Sequence, residues 1–357
     1  MKNFFLILAL AMIALAGRAN PAGNKFYRAN HQYIQYTGRF DFSNQLRPKV
    51  WASGAYVVIR FKGPSCMLQL NDEMLWGTVH NYIEVIVDGR PARRLQLKGR
   101  ENTLELAKNL SPGVHTLLIC KDTEAENGYI ELLGFSCREL LPPPPKAKRK
   151  LEFIGDSITC GFGADESVIK CGAPHAQWYD QHNAWMAYGP TTARNLNAQW
   201  HLSSVSGIGL IHSCCDKQIL MPQVFDKVSM AKDSLKWSFA NYQPDVVTVC
   251  LGQNDGVQDS AKFCNAYVGF AKTLRSYYPQ AKLVFLTSPM ADQTLKTALI
   301  KYITAVRATL NSQGERNTGS YFFVRQSIKG CSSHPSMAEQ QEIAHELTAY
   351  LKKEMKW

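Results

Sequence analysis

The stretch LEFIGDSITCGFG, Leu151 to Gly163, decides how the second half of the chain is read. An apolar run from Leu151 to Ile154 ends in Gly155-Asp156-Ser157, so a buried strand stops at a glycine and delivers a small hydroxyl onto a turn. Ser157 is therefore the candidate nucleophile. The spacing is not that of a Gly-x-Ser-x-Gly elbow, because Thr159 stands where the second glycine would be. Taken alone, the tripeptide reads more readily as a polar turn opening a helix. The sequence on either side changes that balance.

Downstream, strand and helix patterns alternate. Trp200 to Val205, Asp245 to Leu251, Lys282 to Leu286 and Tyr321 to Val324 are predicted strands, the middle two being the continuous apolar runs of a sheet covered on both faces. Leu295, Leu299, Tyr302, Ile303, Val306 and Leu310 fall on one face at helical spacing, and Ile343, Leu347, Leu351 and Met355 do the same. Repeated strand-helix units predict a three-layered α/β/α domain with a parallel sheet over residues 151–357, binding its ligands at the carboxyl ends of the strands.

Upstream the pattern is different. Tyr56 to Phe61, Cys66 to Leu70, Tyr82 to Val87, His115 to Cys120 and Tyr129 to Phe135 are short β-type runs, broken by turn residues such as Asp88-Gly89 and Pro112-Gly113. They predict an N-terminal β-sandwich over residues 20–140. Residues 141–150, LPPPPKAKRK, mark the boundary, read as a semi-rigid spacer with a solvated basic tail at Lys146 to Lys150. At the start, Lys2 followed by the apolar stretch Phe4 to Ala16 has the form of a secretory signal, assigned to residues 1–19, and predicts a secreted or periplasmic protein. No later stretch is long and apolar enough to be a predicted transmembrane segment.

The formal net charge of +11 suits an acidic surface or polymer, but with 19% charged residues and mixed signs the chain carries no nucleic-acid arm. An exported chain permits disulfides among its ten cysteines, yet one of this length needs none for its core, and several buried free thiols are expected. There is no Cys-x-x-Cys pair and no His-Glu-x-x-His, so neither a metal nor an organic cofactor is expected.

Three further segments carry polar groups onto predicted strand ends or loops. Gly252-Gln253-Asn254-Asp255 ends one strand, Ser206-Gly207-Ile208-Gly209 offers unobstructed backbone amides, and His334-Pro335 stands just before a helix. In this order GDS, SG, GxND and HP resemble the four blocks of the SGNH (GDSL-type) hydrolases, a likeness spanning Leu151 to the C-terminus. With a β-sandwich in front, the layout is similar to carbohydrate esterase family two, exported acetyl esterases of plant cell-wall polysaccharides with an N-terminal jelly roll.

The resemblance implies roles. Ser157 would be the nucleophile and His334 its general base, with the backbone N–H groups of Ser157 and Gly207 and the Asn254 amide as oxyanion hole. The superfamily usually has Asp three residues before the histidine, where this sequence has Cys331. Some family members use a Ser-His pair oriented by a backbone carbonyl, which here would belong to Cys331 or Ser332; the alternative is a remote Asp or Glu, supplied by the fold, that completes a triad. With a main-chain orienter the Cys331 thiol is dispensable, provided no disulfide anchors its loop. Trp178 and Trp185, in the long insertion after the nucleophile, are candidates for stacking on sugar rings. The expected activity is removal of O-acetyl groups from acetylated polysaccharide or oligosaccharide. The alternatives are an esterase for another acyl substrate, such as a bacterial glycan, sialate or pectin acetyl ester, or a catalytically silent sugar-binding protein.

Overall fold

The computed structural model describes residues 23–231 and 234–357. The secretory signal expected over residues 1–19 lies outside them. Every strand before the proline run pairs antiparallel, in one ten-stranded sheet wrapped around an apolar core that includes Ile59, Phe61, Leu68, Leu117 and Phe135. Its hub is the 17-residue strand Tyr56–Asp72, which the sequence suggested to be two strands. The Gly63-Pro64 break is where this strand changes partner, from Val114–Lys121 along its first half to Glu101–Ala107 along its second. A proline lacks the N–H that a ladder needs, so it is tolerated at such a crossing point.

The second half holds a five-stranded, wholly parallel sheet in the order Ala198–Ser204, Arg149–Gly155, Val246–Cys250, Lys282–Leu286, Thr318–Tyr321. Helices Ser260–Tyr277 and Gln293–Ser312 bury their apolar stripes on one face, while Tyr188–Asn195 and Met337–Met355 cover the other. The chain starts in the second strand of this order and runs both ways from it. That places a crevice beyond the carboxyl ends of Arg149–Gly155 and Val246–Cys250, where loops diverge. The last strand is Thr318–Tyr321 rather than the more apolar Tyr321 to Val324, because Phe323 N–H donates to the Thr287 hydroxyl at 2.9 Å instead of to a strand.

The two sheets share one core across their seam. Tyr56 and Val58 of the first pack with Phe153 and Leu202 of the second, Tyr56 stacking on Trp200 at 4.1 Å, and Trp200 Nε1 donates to the Gly54 carbonyl. Arg39 and Glu152 form a fully buried ion pair at 3.0 Å between the halves. The Pro-rich stretch is docked along this seam: its Pro144 and Ala147 carbonyls accept from Gln35 and Gln199. Among the described residues no helix is long and apolar enough to cross a membrane.

Candidate active site

Gly155 ends its strand, and Asp156 caps the short helix Ser157–Cys160 by accepting the Ile158 N–H at 3.1 Å. That cap turns the chain sharply enough to set Ser157 at the mouth of the crevice. Burial raises the Asp156 carboxyl to about 7. Across the crevice, Ser157 Oγ lies 2.8 Å from His334 Nε2, and His334 Nδ1 lies 2.9 Å from the Ser332 carbonyl. Among the described residues no carboxylate is bonded to that imidazole. The ring leans on Phe162 at 4.5 Å, and burial holds its pKa below the usual histidine value.

The His334 loop is held in a conformation it would not adopt unaided. Ser332 and Ser333 both have positive φ, 52° and 55°, a region costly for residues with a side chain. Several bonds oppose that cost. Cys331 N–H donates to the Gly163 carbonyl, Met337 N–H to the Ala164 carbonyl, and Ser336 with Glu339 forms a reciprocal cap on helix Met337–Met355. Gly163 has φ 64°, and a Cβ there would meet the Cys331 carbonyl at 2.4 Å, so glycine is required for this approach.

Cys331 is also bonded to Cys171, 160 residues earlier. Cys214 and Cys215 form a second bridge, and the other six cysteines are free, five of them buried. Glu166 lies close to the Cys171–Cys331 pair, but sulfurs bonded to each other present no thiolate to a metal. The proviso attached to Cys331 therefore fails: its sulfur does not touch the imidazole, yet it anchors the carbonyl that does. Cys331→Ala is expected to destabilise the fold by about 2 to 5 kcal/mol and to lower activity, and Cys171→Ala to do the same because the same crosslink is lost. Thermal unfolding and ester turnover of both variants check this, and a defect confined to Cys331→Ala would point away from the bridge.

Gly207 and Asn254 reach the same crevice. The N–H groups of Ser157 and Gly207 meet no acceptor among the described residues, which leaves both as open donors. Asn254 differs: its amide nitrogen already donates to the Ile208 carbonyl at 2.9 Å and to Asp156 at 3.2 Å. Asp255, which the sequence reading passed over, accepts from Leu210, Ile211 and His212 N–H and so ties down the Gly207 loop. Trp178 stands on the cleft wall, stacked on Phe162. Trp185 does not: it packs into the core beside Trp200, with the Arg194 guanidinium 3.8 Å from its ring. Its place in the insertion made it a candidate, and the ring's attachment to a helix-side core removes it from the cleft.

The residue most completely missed comes from the N-terminal half, in the loop after strand Val114–Lys121. Glu124, fully buried, reaches across the seam and accepts from Ser206 N–H at 2.8 Å, the Ser206 hydroxyl at 2.5 Å and His182 Nε2 at 3.1 Å. Burial alone would raise its pKa, but the His182 and Ser206 donors outweigh that and hold the carboxyl below its usual range. Ser206 immediately precedes the open Gly207 amide, so Glu124 fixes that amide from behind. Its neighbour Glu126 lines the cleft, paired with Lys217. The whole cleft encloses about 510 Å³.

The comparisons agree with this layout. The N-terminal model of carbohydrate esterase 2 matches residues 36–144, and the GDSL-like lipase/acylhydrolase model matches residues 153–322. The cellulase/esterase CelE of Acetivibrio thermocellus is 33% identical over 91% of this chain, although the chain spans only 40% of that protein's length. An acetylxylan esterase / glucomannan deacetylase of Cellvibrio japonicus is 29% identical over 81% of each. The solved structure of a family two carbohydrate esterase from Clostridium thermocellum, in complex with cellohexaose, is 32% identical, with TM-score 0.82 over 91% of this chain and 99% of that one. An antiparallel sheet domain joined to a parallel α/β/α domain, with matches of this extent, means that the chain belongs to carbohydrate esterase family 2, of the SGNH type.

Proposed function

We propose that this protein is an exported esterase that removes O-acetyl groups from plant cell-wall polysaccharide of the xylan or mannan type, by acyl transfer through Ser157. The observation that carries the reading is the 2.8 Å contact between Ser157 Oγ and His334 Nε2 at an open cleft, with Nδ1 turned to the Ser332 carbonyl. That carbonyl accepts only from an Nδ1–H, so Nε2 is left with its lone pair toward Ser157. As Oγ attacks the acetyl carbonyl, Nε2 takes its proton. The Ser157 and Gly207 amides receive the developing oxyanion, and Asn254 joins them by giving up its longer bond, the one to Asp156. The imidazolium then protonates the leaving sugar oxygen as the C–O bond breaks, freeing the sugar hydroxyl. Water, deprotonated by the same nitrogen, releases acetate from Ser157. A main-chain carbonyl orients the ring as a carboxylate would, but stabilises the imidazolium less.

The Cellvibrio relatives' names and the cellohexaose in the Clostridium complex support a polysaccharide substrate. Trp178 supplies an aromatic face for a sugar ring beside the nucleophile. The Cys171–Cys331 bridge suits the oxidising surroundings of an exported protein. The test is acetate release from acetylated xylan, glucomannan and pectin, with p-nitrophenyl acetate as the reference ester and no metal added. Turnover of xylan or glucomannan above pectin is expected. No turnover of any ester would leave a sugar-binding protein, and a preference for pectin would displace the substrate.

The pH profile follows from the imidazole. His334 must be neutral to accept a proton, and burial holds its pKa below the usual histidine value, so kcat/KM is expected to be level through neutral and alkaline pH and to fall only on acidification. Asp156→Asn leaves that limb in place, since the limb belongs to His334. A limb that moved with Asp156 would contradict the assignment.

A further inference from the structure

The basic run Lys146 to Lys150 has no part in the chemistry at Ser157. In the folded chain Lys146 and Lys150 line a hollow of about 560 Å³ on the seam between the two sheets. Lys150 stands near the amino end of its strand, whereas Ser157 follows the carboxyl end, and the two cavities share no lining residue. A molecule in this hollow would be independent of the esterase cleft.

The lining is unusual in what it lacks. It contains no carboxylate, and among the described residues neither ammonium has an ion pair. Lys146 Nζ donates to the Tyr36 carbonyl, and Lys150 Nζ lies 5.8 Å from the centre of the Tyr242 ring. His201, also in the wall, is buried and accepts the Gly38 N–H on Nε2 at 3.1 Å. That bond puts the proton on Nδ1, and the resulting donor has no acceptor. The indole N–H of Trp237 is likewise buried and unpartnered. Both N–H groups lie closed off behind the surface of the hollow, so they add positive polarity to its wall without themselves bonding an occupant. Aromatic faces complete the wall, with Tyr242 stacked on His201 at 3.6 Å and Trp237 beside it.

A bare inorganic anion would leave the rings unused, and a neutral sugar would leave the ammonium groups unused. An acidic sugar uses both: its ring packs on aromatic carbon while its carboxylate takes charge-assisted bonds. We propose that this hollow is a second carbohydrate site, which binds a hexuronate residue with its carboxylate held by Lys146 and Lys150 and its ring on the Trp237 side. The cationic, aromatic wall stands without the esterase reading, and only the choice of a glycan as the natural source leans on it.

The experiment is calorimetric titration of the full chain with methyl β-glucuronide, methyl β-glucoside and inorganic phosphate, for the wild type and for Lys146→Ala/Lys150→Ala. The glucuronide is expected to bind at least about tenfold more tightly than either other probe, and the double variant to lose at least about tenfold of that affinity. Turnover of p-nitrophenyl acetate by the same samples is expected to be unchanged. Equal binding of glucuronide and glucoside, equal binding of phosphate, affinity untouched by the double substitution, or no binding at about 10 mM each overturns the proposal. In the wild type, absent glucuronide binding with intact turnover sinks this site alone, and absent turnover with intact glucuronide binding sinks the esterase reading alone.

Discussion

Ser157→Ala is expected to lower kcat for acetyl esters by about 10⁴- to 10⁶-fold while leaving the fold and KM nearly intact. The hydroxyl sits at the first position of a helix whose cap is Asp156, and it makes no bond that the fold depends on apart from that to His334. Removing it deletes the atom that the proposed mechanism acylates and leaves the backbone amides of residue 157 and Gly207 in place, so a remnant of oxyanion catalysis should persist. Kinetics with p-nitrophenyl acetate, alongside a thermal unfolding curve, read both parts. A variant that kept more than about a tenth of the rate would show that the nucleophile lies elsewhere, since residues of this kind are worth orders of magnitude more.

The second large effect is expected from a residue that never touches substrate. Glu124→Ala removes the acceptor for the Ser206 N–H, the Ser206 hydroxyl and His182 together. The loop then loses the bond that fixes the Gly207 amide, and kcat should fall by about 10²- to 10³-fold, the worth of one oxyanion donor. Because buried donors are stranded as well, stability should drop by about 1 to 3 kcal/mol, so rates must be measured well below the variant's melting range. Glu124→Gln retains a carbonyl oxygen for Ser206 and is expected to recover most of kcat. A merely structural glutamate predicts something else: a loss that follows the unfolded fraction, with KM and kcat of the folded molecules unchanged. The acid limb of the pH profile should still belong to His334 in both variants, moved toward lower pH because the Glu124 charge that supports the imidazolium is gone.

What could be read from the sequence was local. Gly155-Asp156-Ser157, Ser206-Gly207, Gly252 to Asn254 and His334-Pro335 each declare a strand end or a loop before a helix, and the parallel sheet brings all four to one crevice. The amphipathic stripe from Leu295 to Leu310 was equally plain, since helical spacing needs only its own segment. What escaped depends on partners far along the chain. Glu124 meets Ser206 across 82 residues and Cys171 meets Cys331 across 160, and nothing in either neighbourhood marks them. Trp178 and Trp185 looked alike because composition cannot tell which way an irregular insertion turns its rings. The proline run looked like free spacer because its hydrogen-bonding partners, Gln35 and Gln199, lie outside it.

The buried segment Lys121 to Glu124 also bears on how such a chain is cut or recombined. It closes strand Val114–Lys121 and begins the loop after it, yet its Asp122 side chain accepts from Trp185 N–H, its Asp122 carbonyl from Ala184 N–H, and its Glu124 from the Gly207 loop. The catalytic half is thus not a self-sufficient cassette. A fragment begun at Leu151 would carry Ser157 and His334 but not the carboxylate behind the Gly207 loop, and it would bare the faces of Phe153 and Trp200 to water. Fusing that fragment to a foreign binding domain would therefore not transplant the esterase, because the portable unit is the pair of domains.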